Sequence, residues 1–228
     1  MKIKQYSEVF LFVLLTSLFT MISAEAEALV PPQQTIAEAS EKLKVHMQDE
    51  SFKRDFKKLT EFVDEVIYPH VDFDMLSKGV LGKLWRKATS EEKEAFKKEF
   101  KTLLVRTYSR AFFEFKDWSI RFLPLDLNKS VKTFKSRKTG KTIQKVVVKT
   151  EILQPGLQPI PVDYRMYKEQ GQKDWKVYDI IIGGVSLVTN YRTTFKNEYR
   201  KTGSLKGVIE QLALKNKQAF EKAAQKES

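Results

Sequence analysis

The segment from Asp174 to Phe195, DWKVYDIIIGGVSLVTNYRTTF, limits the possible folds more than any other part of the chain. Its first half, WKVYDIII, is apolar on both faces, which is typical of a central strand of a sheet. A Gly-Gly pair ends this strand, and Leu187, Tyr191 and Phe195 then follow at a spacing of four, which predicts a helix. A strand that turns directly into a helix is compatible with a catalytic elbow, and equally with the wall of an apolar pocket.

The apolar periodicity of the preceding part of the chain predicts helices first and strands after them. The longest predicted helix begins at a Thr89-x-x-Glu92 capping box and carries an apolar stripe as far as Phe115. The period then changes to two in KTIQKVVVKTEIL and PVDYRMYK, with turn signals at 138–141 and 169–172. The sequence therefore predicts an α+β fold in which helices cover one face of a curved antiparallel sheet, and a cone of this type often encloses a cavity.

The N-terminal segment indicates export. Lys2 and Lys4 precede an apolar run from about Val9 to Ile22, and small residues follow, which is typical of a secretory signal peptide. The run is short for a membrane span, which needs about 20 apolar residues. We expect a signal peptide over residues 1–24, a flexible leader over 25–34, a single domain over 35–215 and a frayed tail over 216–228.

The positive charge is large and unevenly distributed. The formal net charge of +12 predicts attraction to an anionic surface. Residues 127–150 contain no acidic residue but carry the cations Lys129, Lys132, Lys135, Arg137, Lys138, Lys141, Lys145 and Lys149. A basic hairpin here could contact an anionic membrane or an acidic partner, or could keep an edge strand soluble and unpaired. Export argues against nucleic acid as the partner, and these three interpretations remain open.

Candidate catalytic and metal-binding residues are few. The Gly184-Val185-Ser186 turn lacks the final glycine of a G-x-S-x-G nucleophile elbow, so Ser186 is predicted to cap the following helix. The two histidines, His46 and His70, do not have the spacing of a zinc site. Cysteine is absent from the sequence, which removes thiol nucleophiles, disulfides and cysteine-based metal sites.

Asp179 permits two interpretations. A carboxylate in an otherwise apolar strand can act as a base with a raised pKa, as in small isomerases of similar architecture. This interpretation predicts a small-substrate enzyme in which Asp179 and a tyrosine form an acid–base pair. Alternatively, a nearby arginine or a backbone N–H group holds the carboxylate as a structural group.

Two segments carry a recognisable signature. One is WKVYDIIIGGVSLVTNYRTTF, with a Trp-x-Val-Tyr-Asp strand, a Gly-Val-Ser-Leu turn and an Asn-Tyr-Arg-x-x-Phe helix. The other is VLGKLWRKATSEEKEAFKKEF, from Val80 to Phe100, with a Leu-Gly-x-x-Trp element. Together they resemble the MlaC, or toluene-tolerance, family of periplasmic phospholipid-binding proteins. The resemblance extends from about Phe62 to Leu214, although Gly183 stands where the family usually has an acidic residue.

The resemblance implies a soluble periplasmic carrier with an NTF2-like cone of sheet and helices that encloses an apolar lipid cavity. Members of this family shuttle a glycerophospholipid between an outer-membrane lipoprotein–porin complex and an inner-membrane ABC transporter complex, which maintains outer-membrane lipid asymmetry. For this chain it implies a monomer that carries phospholipid as cargo and has no cofactor, metal, nucleic-acid partner or enzymatic activity. Acyl chains buried at about 0.8 kcal/mol per CH₂ would hold a lipid without any catalytic group.

We expect the lipid to contact apolar side chains on the long helix and on the inward faces of the strands. These predicted lipid-binding residues are Leu104, Tyr108, Phe112, Val148, Val162, Tyr164, Met166, Ile180, Ile182 and Val185. Two alternatives remain open beside the carrier. One is the small-substrate enzyme, and the other is a module that uses the basic hairpin on a membrane or protein partner and carries no cargo.

Overall fold

The computed structural model describes residues 28–46, 48–49, 56–114, 117–137 and 139–227. Side chains are described throughout these ranges except at 56–57, 109–114 and 222–227. The predicted signal peptide, residues 1–24, lies outside the described residues, as does the start of the predicted leader.

The first half of the chain is helical. Its elements are α1 (Pro31–His46), α2 (Phe56–Phe62), a π-helical turn (Val63–Ile67), a 3₁₀ turn (Tyr68–His70), α3 (Phe73–Leu81), a 3₁₀ turn (Leu84–Arg86) and α4 (Ser90–Glu114). The predicted capping box at the start of α4 is confirmed. The Thr89 N–H donates to the Glu92 carboxylate at 3.0 Å, and the Glu92 N–H donates to the Thr89 hydroxyl at 3.1 Å.

The second half contains the sheet and two closing helices. Its elements are β1 (Ser119–Phe122), α5 (Leu127–Ser130), β2 (Lys132–Lys135), β3 (Thr142–Leu153), β4 (Ile160–Glu169), β5 (Lys176–Ile182), β6 (Val185–Ser186), α6 (Leu187–Thr202) and α7 (Leu205–Glu227). The strand order is β1-β3-β4-β5-β6, with β2 also paired to β3, and all these pairings are antiparallel. The predicted α+β fold with an open curved antiparallel sheet is confirmed. Within the described ranges, no helix is both long and apolar enough to cross a membrane.

A bulge in β5 sets which side chains face inward. Residue Arg165 lies opposite Asp179, but the next residue, Met166, lies opposite Val177, so Tyr178 is the extra residue. A bulge changes the alternation of faces along the strand. Val177 and Ile180 therefore both pack on the inner side, against the same buried cluster as Met166.

The buried side chains form clusters on the inner side of the sheet. The helical cluster is centred on Phe96 and Phe100, which are fully buried where α4 meets α3, α6 and α7. The sheet cluster includes Val146, Val148 and Met166, with Ile36 of α1 packed against them. The described helices thus bury their apolar stripes against one face of the sheet, as expected for a layered α+β domain.

Helix α3 is attached to the sheet through Asp72. The Asp72 carboxylate caps α3 by accepting the Met75 N–H at 2.7 Å, and it also accepts the Tyr167 hydroxyl of β4. The Asp72 N–H donates to the Val177 carbonyl of β5 at 2.8 Å. One residue therefore fixes the start of α3 to two neighbouring strands.

The ends of the domain differ from the expected boundaries. Residues 31–34 form the first turn of α1 instead of a leader, because Pro31 stands at the start of the helix and the Gln33 side chain donates to the Leu123 carbonyl at 2.9 Å. At the other end, the predicted tail from residue 216 begins inside α7. Asn216 is buried and its side chain donates to the Glu99 carbonyl at 2.9 Å, so the domain extends past residue 215.

The crossing of α3 and α6 depends on a glycine. A Cβ atom added at Gly79 would lie 2.9 Å from Cγ1 of Val188, closer than carbon atoms approach without displacement. Gly79 therefore allows the close packing of the two helices that are anchored to the sheet.

We predict that Gly79→Ala lowers the free energy of unfolding by about 1 kcal/mol, because a steric cost of about 2 kcal/mol exceeds the helix-propensity gain of about 1 kcal/mol. In a Val188→Ala background the steric cost disappears, so the same substitution raises the free energy of unfolding by about 1 kcal/mol. Urea denaturation of the four proteins of this double-mutant cycle measures both effects. Equal effects in the two backgrounds would contradict the proposed steric role.

Candidate functional site

The inward-facing side chains of the sheet form one continuous apolar surface. We call this surface, together with Leu104 and Tyr108 of α4, the inner groove. The strand register arranges its sheet residues in cross-strand rows, which are Val146–Met166–Val177, Val148–Tyr164–Ile180, Phe122–Thr150–Val162–Ile182 and Ile120–Ile152–Ile160. None of these side chains is charged, so the groove matches a ligand of low polarity.

Burial changes along the inner groove. The row at the end near the β2–β3 and β4–β5 turns is closed, since Val146, Met166 and Val177 are at most 3% exposed. Towards the β3–β4 loop, the apolar side chains of Ile152, Ile160 and others remain half-buried on the same inner face. The groove is therefore closed at one end and partly open at the other.

The structure brings most of the predicted lipid-binding residues to the inner groove. Three of them are buried on the sheet, namely Val148, Val162 and Met166. Three more are half-buried beside these, namely Tyr164, Ile180 and Ile182. Two are half-buried on α4, namely Leu104 and Tyr108. Leu104 and Tyr108 pack against the same helical cluster as Ile180 and Ile182. These placements agree with an inward-facing role for the eight side chains.

Two predicted site residues stand apart from this group. Val185 lies opposite Ile182 on β6 but is 56% exposed, because the two-residue strand β6 is at the outer edge of the sheet. Val185 therefore lies at the rim of the groove and does not form its wall. The side chain of Phe112 lies outside the described residues.

Several groove residues were not among the predicted ones. The signal for Val146 and Ile152 is present in the sequence, because they share the alternating face of β3 with Val148. Val177 could not be assigned by alternation, because the bulge at Tyr178 shifts it onto the inner face. Phe122 of the four-residue strand β1 offers too short a pattern to define a face.

The polar groups of the inner groove are hydroxyls. The Thr150 hydroxyl is buried and donates to the Val162 carbonyl at 2.8 Å. Burial raises the pKa of the Tyr164 hydroxyl to about 12. Burial also raises the pKa of Tyr108, and the neighbouring Tyr191 hydroxyl adds to the increase. Both tyrosines are therefore neutral at physiological pH and can present hydrogen-bonding groups without a charge.

Two small cavities lie in the described part of the protein, one at the β1 edge of the inner groove and the other away from the groove. One, of about 110 Å³, lies between α1 and β1 beside Trp118, and Ile120 and Phe122 form part of its wall. The other, of about 180 Å³, lies between Tyr68, Phe73 and the lysines of α4. Pockets for small molecules usually measure about 300–1,000 Å³. The candidate site is therefore the partly covered inner groove and not one of these cavities.

Asp179 is held as a structural acceptor at the N-terminus of α6. Its carboxylate accepts three hydrogen bonds, from the Arg165 guanidinium at 3.0 Å, the Ser186 hydroxyl at 2.7 Å and the Val188 N–H at 3.1 Å. The side chain is 3% exposed, and the positive end of the helix dipole adds to the attraction. A carboxylate engaged in this way is not positioned as a free general base, in agreement with the structural interpretation of Asp179.

The remaining candidate residues have local structural roles. Ser186 is the N-cap of α6 and accepts the Thr189 N–H at 3.1 Å, as predicted. His46 contacts the Lys42 carbonyl at 2.9 Å within α1. Burial lowers the pKa of His70, and the nearby Lys176 and Lys42 lower it further. Among the described residues, no group of three or more histidine, aspartate or glutamate side chains is arranged to hold a metal ion.

We predict that Asp179→Asn lowers the free energy of unfolding by about 2 kcal/mol, because it removes the charge that three donors share. Asp163→Asn, on the neighbouring strand β4 opposite Lys149, is the matched control and should change stability by less than about 0.5 kcal/mol. Denaturant unfolding checks both values. Unchanged stability of Asp179→Asn would mean that the carboxylate is not a structural anchor and would revive the catalytic interpretation.

Comparison with known proteins identifies the family. The family model described as MlaC protein matches residues 37–214. The intermembrane phospholipid transport system binding protein MlaC of Haemophilus influenzae is 25% identical over 191 residues, which cover 82% of this chain and 82% of that protein. The toluene tolerance protein ttg2D of Pseudomonas putida is 25% identical over 156 residues, or 68% of this chain and 66% of that protein.

A solved structure shows the same architecture. The phospholipid-binding protein from Ralstonia solanacearum, determined in complex with a phospholipid, aligns with a TM-score of 0.69 and 27% sequence identity. The alignment covers 84% of this chain and 99% of that one. With the fold, the two sequence segments and the family model in agreement, the chain belongs to the MlaC family.

Proposed function

We propose that this protein carries a glycerophospholipid in the inner groove. The observation that carries this proposal is the uncharged inner face of the sheet, whose apolar residues stay half-buried at one end. The relative from Ralstonia solanacearum, which shares the fold, was determined with a phospholipid bound. Half-buried apolar side chains gain further burial when acyl chains cover them, at about 25 cal/mol per Å² of apolar surface.

The arrangement of the groove indicates how the lipid would lie. The closed end near Val146 and Met166 offers apolar contact alone, which suits the ends of acyl chains. The opposite end lies near the exposed Gly183-Gly184 turn and the β3–β4 loop, where Leu157 is 62% exposed. A charged headgroup would remain at this end, because moving a charge into an apolar interior is costly.

The proposed biological role is transport through the periplasm. The chain begins with a predicted signal peptide, and the relative from Haemophilus influenzae is named for an intermembrane phospholipid transport system. We propose that the exported monomer shuttles phospholipid between an outer-membrane lipoprotein–porin complex and an inner-membrane ABC transporter complex. This transport would maintain the lipid asymmetry of the outer membrane.

The proposed role is binding and not catalysis. Asp179, the strongest candidate for a general base, is occupied by three donors at the start of α6. The groove hydroxyls of Tyr108 and Tyr164 have raised pKa values, which makes them poor acids and leaves them neutral. Apolar contact alone can hold two acyl chains, at about 0.8 kcal/mol per CH₂.

We predict that an arginine in the inner groove strongly weakens lipid binding. Leu104→Arg on α4 and Ile182→Arg on β5 should each weaken the binding of a fluorescent phospholipid by about 100-fold, because a charge placed against acyl chains costs about 2.5–3.5 kcal/mol. Both positions are half-buried, so the variants should fold. Binding is measured by fluorescence titration with delipidated protein, and folding by circular dichroism.

Two matched controls introduce the same side chain at exposed positions. Thr107→Arg lies on α4 near Leu104, and Val147→Arg lies on the outer face of β3, where the native side chain is 38% exposed. Both should bind lipid as the wild type does. Full lipid binding by folded Leu104→Arg and Ile182→Arg would contradict the proposed site.

A further inference from the structure

The outer face of the sheet is partly exposed at β2 and β3, where Phe134 and Val147 reach solvent. Positions 143, 145, 147 and 149 of β3 point away from the inner groove, because the side chains of Val146 and Val148 point into it. Through the strand register, Lys132 and Phe134 of β2 and Tyr167 of β4 lie on the same outer side. We call the set Lys132, Phe134, Lys145, Val147, Tyr167 and Tyr178 the outer patch.

The outer patch combines exposed apolar groups with cations. Phe134 is 49% exposed and Val147 is 38% exposed, although both are large apolar residues. The Lys145 ammonium lies 5.9 Å from the centre of the Phe134 ring and 5.1 Å from that of Tyr178. These cation–π contacts hold a positive charge at the centre of an aromatic surface.

The lysines of the patch form no ion pair with a described residue, while the Asp72 carboxylate accepts the Tyr167 hydroxyl at the edge of the patch. Lys129 pairs with Asp126, and Lys141 pairs with Glu169. The other described cations of this segment, which are Lys132, Lys135, Arg137, Lys145 and Lys149, have no acidic partner among the described residues. Lys132 and Lys145 even lie directly opposite each other, and like charges in this position destabilise a sheet. Such an arrangement becomes favourable when an external anion lies over it.

We propose that the outer patch docks the protein onto a bilayer surface that bears anionic phospholipid. Charge complementarity selects an anionic surface, and exposed Phe134 can enter the headgroup region beside the lysines. A protein partner is less well matched, because protein interfaces are poor in lysine and their anchor residues fill pockets. The two cavities described above are lined by residues outside the outer patch. This docking face lies opposite the inner groove and does not depend on the proposed lipid cargo.

The test is vesicle flotation with the purified protein. The wild type should bind vesicles of phosphatidylcholine with 30% phosphatidylglycerol and should not bind vesicles of pure phosphatidylcholine. It should be released from the anionic vesicles by 500 mM NaCl, because salt at this level screens exposed charges beyond a Debye length of about 3–10 Å. Lys132→Gln/Lys145→Gln should weaken vesicle binding by about 25-fold, or about fivefold per charge. The substitution relieves a like-charge contact, so the variant is expected to fold.

The matched control is Lys196→Gln/Lys201→Gln, which makes the same change of net charge at exposed positions of α6. It should retain binding, as should Leu104→Arg, which alters the inner groove. Equal weakening by both lysine pairs would overturn the proposal, because net charge alone would then explain binding. Absence of vesicle binding by the wild type would also overturn it. If polyglutamate were bound instead and released by the patch substitutions, the partner would be an acidic protein.

Discussion

Two carboxylates attach the N-termini of helices α3 and α6 to the sheet, and the arrangement of the inner groove depends on them. Asp72 caps α3 while it contacts Tyr167 of β4, and Asp179 of β5 accepts the Val188 N–H in the first turn of α6. Each pairing satisfies helical N–H groups that otherwise lack partners and places negative charge at the positive end of a helix dipole. Gly79 lets α3 and α6 pack closely against each other, with Val188 at the contact.

The same anchors account for the polar groups of the strand–turn–helix segment. The Gly183-Gly184 turn and the short strand β6 bring Ser186 next to Asp179, which resembles a hydroxyl–carboxylate pair of a catalytic site. In this protein the Ser186 hydroxyl also accepts the Thr189 N–H, so both groups serve the start of α6. The polar atoms of Asp179 and Ser186 thus anchor and cap α6. The surface proposed to bind a ligand is the apolar inner groove.

Much of this organisation could be predicted from the sequence, because it depends on local patterns. The capping box at Thr89 and Glu92, the N-cap at Ser186 and the alternation of β3 each involve residues close together in the chain. The inward position of Val177, the attachment of α1 through Gln33 and the burial of Asn216 depend on distant partners, so no local pattern shows them. The predicted wall residue Val185 is exposed for a related reason, since its environment depends on where the sheet ends.

The sheet separates two surfaces of opposite character, an uncharged inner groove and a basic aromatic outer patch, and the inner groove carries the proposed lipid-binding function. Native mass spectrometry of the mature protein isolated from its host cells, with lipid extraction of the same sample, tests the proposed lipid binding most directly. The account predicts a mass increment equal to one phospholipid per chain, which the extraction identifies. An empty chain that also fails to take up added phospholipid would contradict the proposed carrier function.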